Sequence, residues 1–228
     1  MPRLDVIYED NHLLVVNKPA GVATMGTAAD TPSLAQWAKI YLKARYDKPG
    51  NVYLGIVSRL DKVVTGVIVF ARTSKAARRL NQQQLDHRMT KRYWALVPRL
   101  PNGQARGRLK DRVRKNEATH RMECVGAAVR DAATALLDYR LLARLERHFL
   151  LEVQLVTGRK HQIRVQLAAH GSPVVGDRKY GSRLPFPHGI ALHSRYLGLA
   201  HPTRGESLSW QADPPGYWPA IPRELLST

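Results

Sequence analysis

Two strand-like segments, Ala133–Leu142 and His148–Val156, follow one another across a short charged turn, and this constrains the fold more than any other feature. Strands joined so closely pair antiparallel, because a parallel partner needs a crossover of a dozen or more residues. The pattern recurs. Asp5–Tyr8 and Leu13–Asn17 flank the turn residues Glu9-Asp10-Asn11, and Ile190–Leu199 precedes Leu208–Ala212. Val67–Ala71 and Tyr93–Val97 add further strands. Helices are fewer. Thr31 before Pro32 offers a capping hydroxyl and a ring that needs no amide donor, and Leu34, Trp37, Ala38, Tyr41 and Leu42 follow at helical spacing to about Arg45. Ser74 is read as the cap of a second helix to about His87. A third runs from Arg159 to His170, with Gly171 as its stop. The expectation is an α+β fold, a mixed, largely antiparallel sheet flanked by helices. No repeat, low-complexity tract or linker is visible, so residues 1–228 are expected to form a single domain.

Lys and Arg number 36 against 18 Asp and Glu, a formal charge of +18 that points to a polyanionic partner, RNA or DNA before a membrane surface. One cysteine, Cys124, excludes an internal disulfide framework, and no thiol or histidine spacing suggests a metal site. The N-terminal MPRLDVIYEDN carries acids where a signal peptide is apolar, and the longest apolar runs are too short or too polar to span a bilayer. A cytoplasmic protein is expected.

Three segments could carry chemistry. In Gly55–Gly66, Asp61 stands between Arg59 and Lys62 among apolar neighbours, in a loop between buried segments. Such a carboxylate could be held rigidly and kept ionised by nearby positive charge, although the segment taken alone reads first as a surface salt bridge beside a turn. In Thr157–Leu167, the residues Arg159, Lys160, Gln162 and Arg164 gather near a predicted helix N-terminus, which favours anions through its free amides. Helical spacing puts Lys160 and Arg164 on one face. The alternative is a solvated basic face with a structural His161. In Lys91–Val97, alternation puts Tyr93 and Ala95 on one side of a strand, where a tyrosine is usually packing. Arg106–Arg121 is basic and poorly periodic, and Arg112 and Arg114 within it read either as phosphate contacts or as a solvated loop.

Taken in order, these segments resemble the RluA-type pseudouridine synthases along nearly the whole chain. The resemblance starts at Val15-Val16-Asn17-Lys18-Pro19-Ala20-Gly21 and continues through Arg59-Leu60-Asp61, Gly66 and Lys91-x-Tyr93-x-Ala95. It includes Ala133-Thr134, Thr157–Arg164, Gly176-Asp177 and Tyr180-Gly181, and ends with Ala191-Leu192-His193 and His201-Pro202. Ser58 departs from a common His, Val64-Thr65 from a common Thr-Ser pair, and Lys160 from a common Thr. Because the resemblance begins within the first twenty residues, no N-terminal S4-type domain is expected.

The resemblance implies isomerisation of uridine to pseudouridine in structured ribosomal or transfer RNA. The nucleotide must leave its stack, at a cost of a few kcal/mol. Arg59 would fill the vacated space or hold the displaced strand. Asp61 would act at the ribose, as nucleophile or as base, with Arg164 as its basic partner. Tyr93 would stack on the uracil, its hydroxyl a candidate to take the carbon 5 proton. Ile163 and Leu192 could help exclude water. No cofactor is required and a monomer is expected. The rivals are a non-catalytic RNA-binding homologue, a metal-dependent nuclease, which needs clustered carboxylates, and a structural ribosome-associated protein.

Overall fold

The computed structural model describes residues 4–26 and 32–226. The backbone gathers into two compact units, one running up to Thr90 and resumed over Ser194–Pro214, the other comprising Lys91–His193 and the residues from Pro215. The first unit opens with β1 (Val6–Glu9) and β2 (Leu13–Lys18), an antiparallel pair with Tyr8 opposite Val15. Helix α1 (Leu34–Arg45) is capped by Ser33, whose hydroxyl accepts from the Gln36 amide while the Gln36 side chain accepts from the Ser33 amide. The expected cap, Thr31, lies outside the described residues. After β3 (Gly55–Ile56), strand β4 (Thr65–Ala71) runs antiparallel to β2, with Val15 opposite Val69. Helix α2 (Ser74–Leu85) is capped by Thr73, one residue before the expected cap, because the Thr73 hydroxyl accepts from the Ala76 amide. Every residue of β4 is buried. Alternate side chains Leu13, Val15, Val67 and Val69 pack with Ala76 and Leu80 of α2, so one core forms between sheet and helix.

The second unit is a meander of long antiparallel strands. β5 (Thr90–Val97) pairs with β9 (Phe149–Leu155), β9 with β8 (Ala133–Arg144), β8 with β6 (Arg106–Asn116), and β6 with β7 (Arg121–Val125). The pair first seen in the sequence is therefore β8 and β9, turned as expected. Helix α3 (Gln162–Ala169) lies on one face of this sheet, where Val165 packs against Val113 and Ala135. Its Gln166 amide donates to the Asp111 carboxylate at 2.6 Å and to the Leu109 and Ala135 carbonyls at 3.3 Å, tying the helix to β6 and β8.

The chain re-enters the first unit through β10 (Leu192–Ala200), next to β4, and closes with β11 (Ser207–Gln211) antiparallel to β10. Gly66 permits this. Its φ is +108°, and a Cβ there would stand 2.3 Å from the Ser194 carbonyl oxygen, so only glycine lets the two backbones approach. Among the described residues, no helix is long and apolar enough to cross a membrane.

Candidate active site

Asp61 sits half-buried in the first unit, on the turn between β3 and β4. The backbone on both sides of it is fastened. The Thr24 hydroxyl donates to the Leu60 carbonyl at 2.8 Å and accepts from the Leu60 amide at 3.1 Å. The Lys62 carbonyl accepts from the Gly21 amide at 2.8 Å, and the Asp61 carbonyl from the Val64 amide at 3.0 Å. These bonds fasten the backbone on either side of Asp61. Arg59, two residues earlier, is exposed.

Below that turn lies a group to which the sequence motifs assigned no role. Lys18, at the end of β2, is 0% exposed. Its Nζ donates to the carbonyls of Pro19 and Val22 at 2.8 Å and of Lys62 at 3.2 Å, which uses all three ammonium protons. Burial pushes the ammonium down from 10.5 to about 7, against the opposing pull of the Asp61 charge. An amine that is charged below about pH 7 is thus held within electrostatic reach of Asp61, on the backbone that carries it. In the sequence Lys18 stands as one letter of the N-terminal motif, at the end of an apolar strand just before Pro19, with no role attached to it.

The remaining predicted residues belong to the second unit. Tyr93 is 8% exposed on β5, opposite Val153. Through Tyr139 and Gly107 its register leads to Leu109 and Val113, so Tyr93 stands on the sheet face that α3 covers. On α3, Arg164 is 5% exposed. Its Nε and Nη2 donate to the two carboxylate oxygens of Asp177 at 2.7 and 2.9 Å, the fork geometry that fixes a guanidinium in orientation as well as position. The Arg164 guanidinium also stands 5.0 Å over the Tyr180 ring. The Tyr180 hydroxyl lies 2.7 Å from His161 Nδ1 and accepts from the Met122 amide at 3.2 Å. Asp177 and Tyr180 are therefore positioning residues that the sequence showed only as motif letters.

Lys160 and Arg164 do not share a helix face, contrary to the spacing expectation. The helix begins at Gln162, after His161 in the left-handed conformation with φ of +53°, so Lys160 lies in the preceding turn, exposed, while Arg164 is buried. Gln162 is also buried, and its amide works within the fold. It donates to the Leu136 carbonyl at 3.0 Å and accepts from the Thr157 hydroxyl at 2.8 Å and the Arg159 amide at 2.9 Å. Arg159 itself is exposed, with its Nε on the Thr134 carbonyl at 3.0 Å. The stretch containing Arg112 and Arg114 is not a loop but β6 and β7. Both arginines stand on the face away from Tyr93 and α3, Arg114 against Glu123 at 2.9 Å and Arg112 on the Val129 carbonyl at 3.1 Å.

The family model described as RNA pseudouridylate synthase matches residues 12–169, a span that contains Lys18, Asp61, Tyr93 and Arg164. The chain belongs to this family. Ribosomal large subunit pseudouridine synthase D of Yersinia pestis is 34% identical over 98% of this chain and 69% of its own length. The protein of the same name from Zymomonas mobilis is 32% identical over 93% of this chain and 69% of its own length. Among solved structures, human RNA pseudouridylate synthase domain containing 4 is 25% identical with a TM-score of 0.76, covering 93% of this chain and 89% of that one. The pseudouridine synthase seen here is thus an isomerase acting on RNA, with the α+β fold of its relatives.

Proposed function

We propose that this chain converts selected uridines of folded ribosomal RNA to pseudouridine, with Asp61 acting at the ribose. The fastened turn that presents Asp61 carries the reading, because a carboxylate that must meet one carbon of a flipped nucleotide gains most from a backbone that cannot drift. Ribosomal RNA is preferred over transfer RNA because the similar proteins of Yersinia pestis and Zymomonas mobilis are named for the large ribosomal subunit.

The reaction breaks the bond between N1 of uracil and C1′ of ribose, turns the base, and joins C5 to C1′. C5 gives up a proton and N1 gains one, so the change is a balanced isomerisation. Asp61 serves as nucleophile on C1′ or as base toward C2′. Arg164 serves as the basic group, its orientation fixed by Asp177, and Tyr93 as the ring beneath the uracil. Exposed Arg59, Arg159 and Lys160 suit contact with the displaced strand and its phosphates. The protein acts as a monomer on RNA it recognises by shape.

Pseudouridine mapping of total RNA from cells with and without the gene tests this reading. Loss of signal at one or a few large-subunit sites is expected. Loss confined to transfer RNA would overturn the target, and unchanged maps would overturn the function.

A further inference from the structure

The outer face of the second unit's sheet carries a line of positive charge that the reaction does not use. In β6, Arg106, Arg108, Lys110, Arg112 and Arg114 occupy alternate positions, and alternate residues of a strand share one face. Leu109, Asp111 and Val113, at the positions between, meet α3. The line therefore faces away from Tyr93. Neighbouring cations in it are about 6.8 Å apart and the five span about 27 Å, from a rise of about 3.4 Å per residue.

Two features distinguish this line from an ordinary solvated face. First, the register sets Arg106 directly opposite Arg140 of β8, and like charges facing each other across a strand pair oppose the pairing. Glu152, 2.8 Å from Arg140, offsets part of that repulsion, and an anion lying across the two strands would relieve the rest. Second, several guanidiniums are already held in place. Arg108 forks onto Asp138 at 2.7 and 2.9 Å, Arg140 meets Glu152 at 2.8 Å, and Arg112 is anchored on the Val129 carbonyl. Arg106 and Lys110 are exposed and have no carboxylate partner among the described residues.

We propose that this β6 line, continued by Arg140, binds the sugar–phosphate backbone of a second segment of the RNA substrate, away from the nucleotides handled on the Tyr93 face. Phosphate contacts position without reading sequence, and a straight row of cations on a rigid sheet suits a backbone rather than a base. The inference rests on the RNA reading above, but not on the role of Asp61. An RNA that reaches both faces must extend well beyond the target uridine.

The test compares two RNAs, a minimal stem-loop with the target uridine and a longer fragment with its flanking helices, against full-length protein. The double variant Arg106→Gln/Lys110→Gln is set beside Lys39→Gln/Lys43→Gln, which removes the same charge from exposed positions on α1. The β6 variant should bind the long fragment roughly tenfold more weakly near physiological salt. Its slope of log affinity against log salt should flatten by about 1.4 to 1.8, or about 0.7 to 0.9 for each phosphate no longer neutralised. Its affinity for the stem-loop should match that of the unaltered protein. An unchanged slope with the long fragment would overturn the proposal. So would equal weakening on both RNAs, or equal weakening by the α1 variant, since either would reduce the effect to net charge. Turnover by Asp61→Asn would overturn the catalytic reading and leave these slopes as they are, so the two failures are distinguishable.

Discussion

Replacing Lys18 by Met should change how stability depends on pH, not merely lower it. In the unfolded chain the amine keeps its proton up to 10.5, whereas in the folded protein burial makes it release that proton from about 7. Folding therefore expels a proton between these values, and stability rises with pH across that window. Below about pH 7 the folded protein carries the full cost of a buried ammonium, offset by three carbonyl hydrogen bonds and the Asp61 charge. Each pH unit inside the window contributes about 1.4 kcal/mol, so the complete effect is on the order of 5 kcal/mol and about 3 kcal/mol falls between pH 7 and 9. The Met variant has nothing to titrate there and leaves three inward-facing carbonyls without their donor, at about 1–3 kcal/mol each at most. Urea denaturation of both proteins at about pH 6, 7, 8 and 9 isolates the effect, because Lys91, which burial also lowers to about 8, cancels in the difference. The stability gap between the two should widen as pH rises. In an Asp61→Asn background the widening should begin at lower pH, since the Asp61 charge is what holds Lys18 up. Parallel pH curves would refute the reasoning, because Lys18 would then titrate alike folded and unfolded.

Two further outcomes follow from the packing. Gly66→Ala drives a methyl into the Ser194 carbonyl at a φ of +108°, and should cost about 3 kcal/mol in denaturation; a loss under about 0.5 kcal/mol would mean that β4 and β10 can part at no cost. Asp177→Asn leaves the Arg164 guanidinium buried without its carboxylate, and should cost about 3–5 kcal/mol in urea denaturation, with much of it recovered in Asp177→Leu/Arg164→Met; a double variant no better than the single would count against the pair as the cause.

The sequence carried the parts of this fold that are coded locally. The β8–β9 turn, the buried β4 strand and the α1 face follow from alternation and helical spacing, and each appears close to where those rules put it. The β6 strand was hidden for a physical reason. Its outer positions are cationic up to Arg114 and end in Asn116, and its inner ones include Gly107, Asp111 and Lys115 beside Leu109 and Val113, so the apolar half of the alternation is sparse. Its partner β8 and the Gln166–Asp111 bond from α3 supply what the local pattern lacks. Asp61 was legible because flanking motifs fix its place, but the fastening of its turn was not. Thr24 is 36 residues from Leu60 and Lys18 is 44 from Lys62, and only the folded chain brings these hydrogen-bonding partners together. The Arg164–Asp177 fork is hidden in the same way, although both residues lie in recognisable motifs. The left-handed His161 that sets the start of α3 has no signature in its neighbours at all.

The central claim is that Asp61 performs the chemistry on a turn fastened by hydrogen bonds to the backbone on either side of it. The most direct measurement is single-turnover pseudouridine formation by purified Asp61→Asn on an RNA the unaltered enzyme modifies, read by base-resolved mapping, with RNA affinity and urea stability measured on the same preparation. The amide matches the carboxylate in size but can serve neither as nucleophile nor as base. No pseudouridine should form, while affinity stays close to that of the unaltered enzyme and so does stability above about pH 7, where Lys18 no longer depends on the Asp61 charge, because the hydrogen bonds at Leu60 and Lys62 are made by their backbone groups and not by the Asp61 side chain. Product at a rate near that of the unaltered protein would contradict the assignment of Asp61.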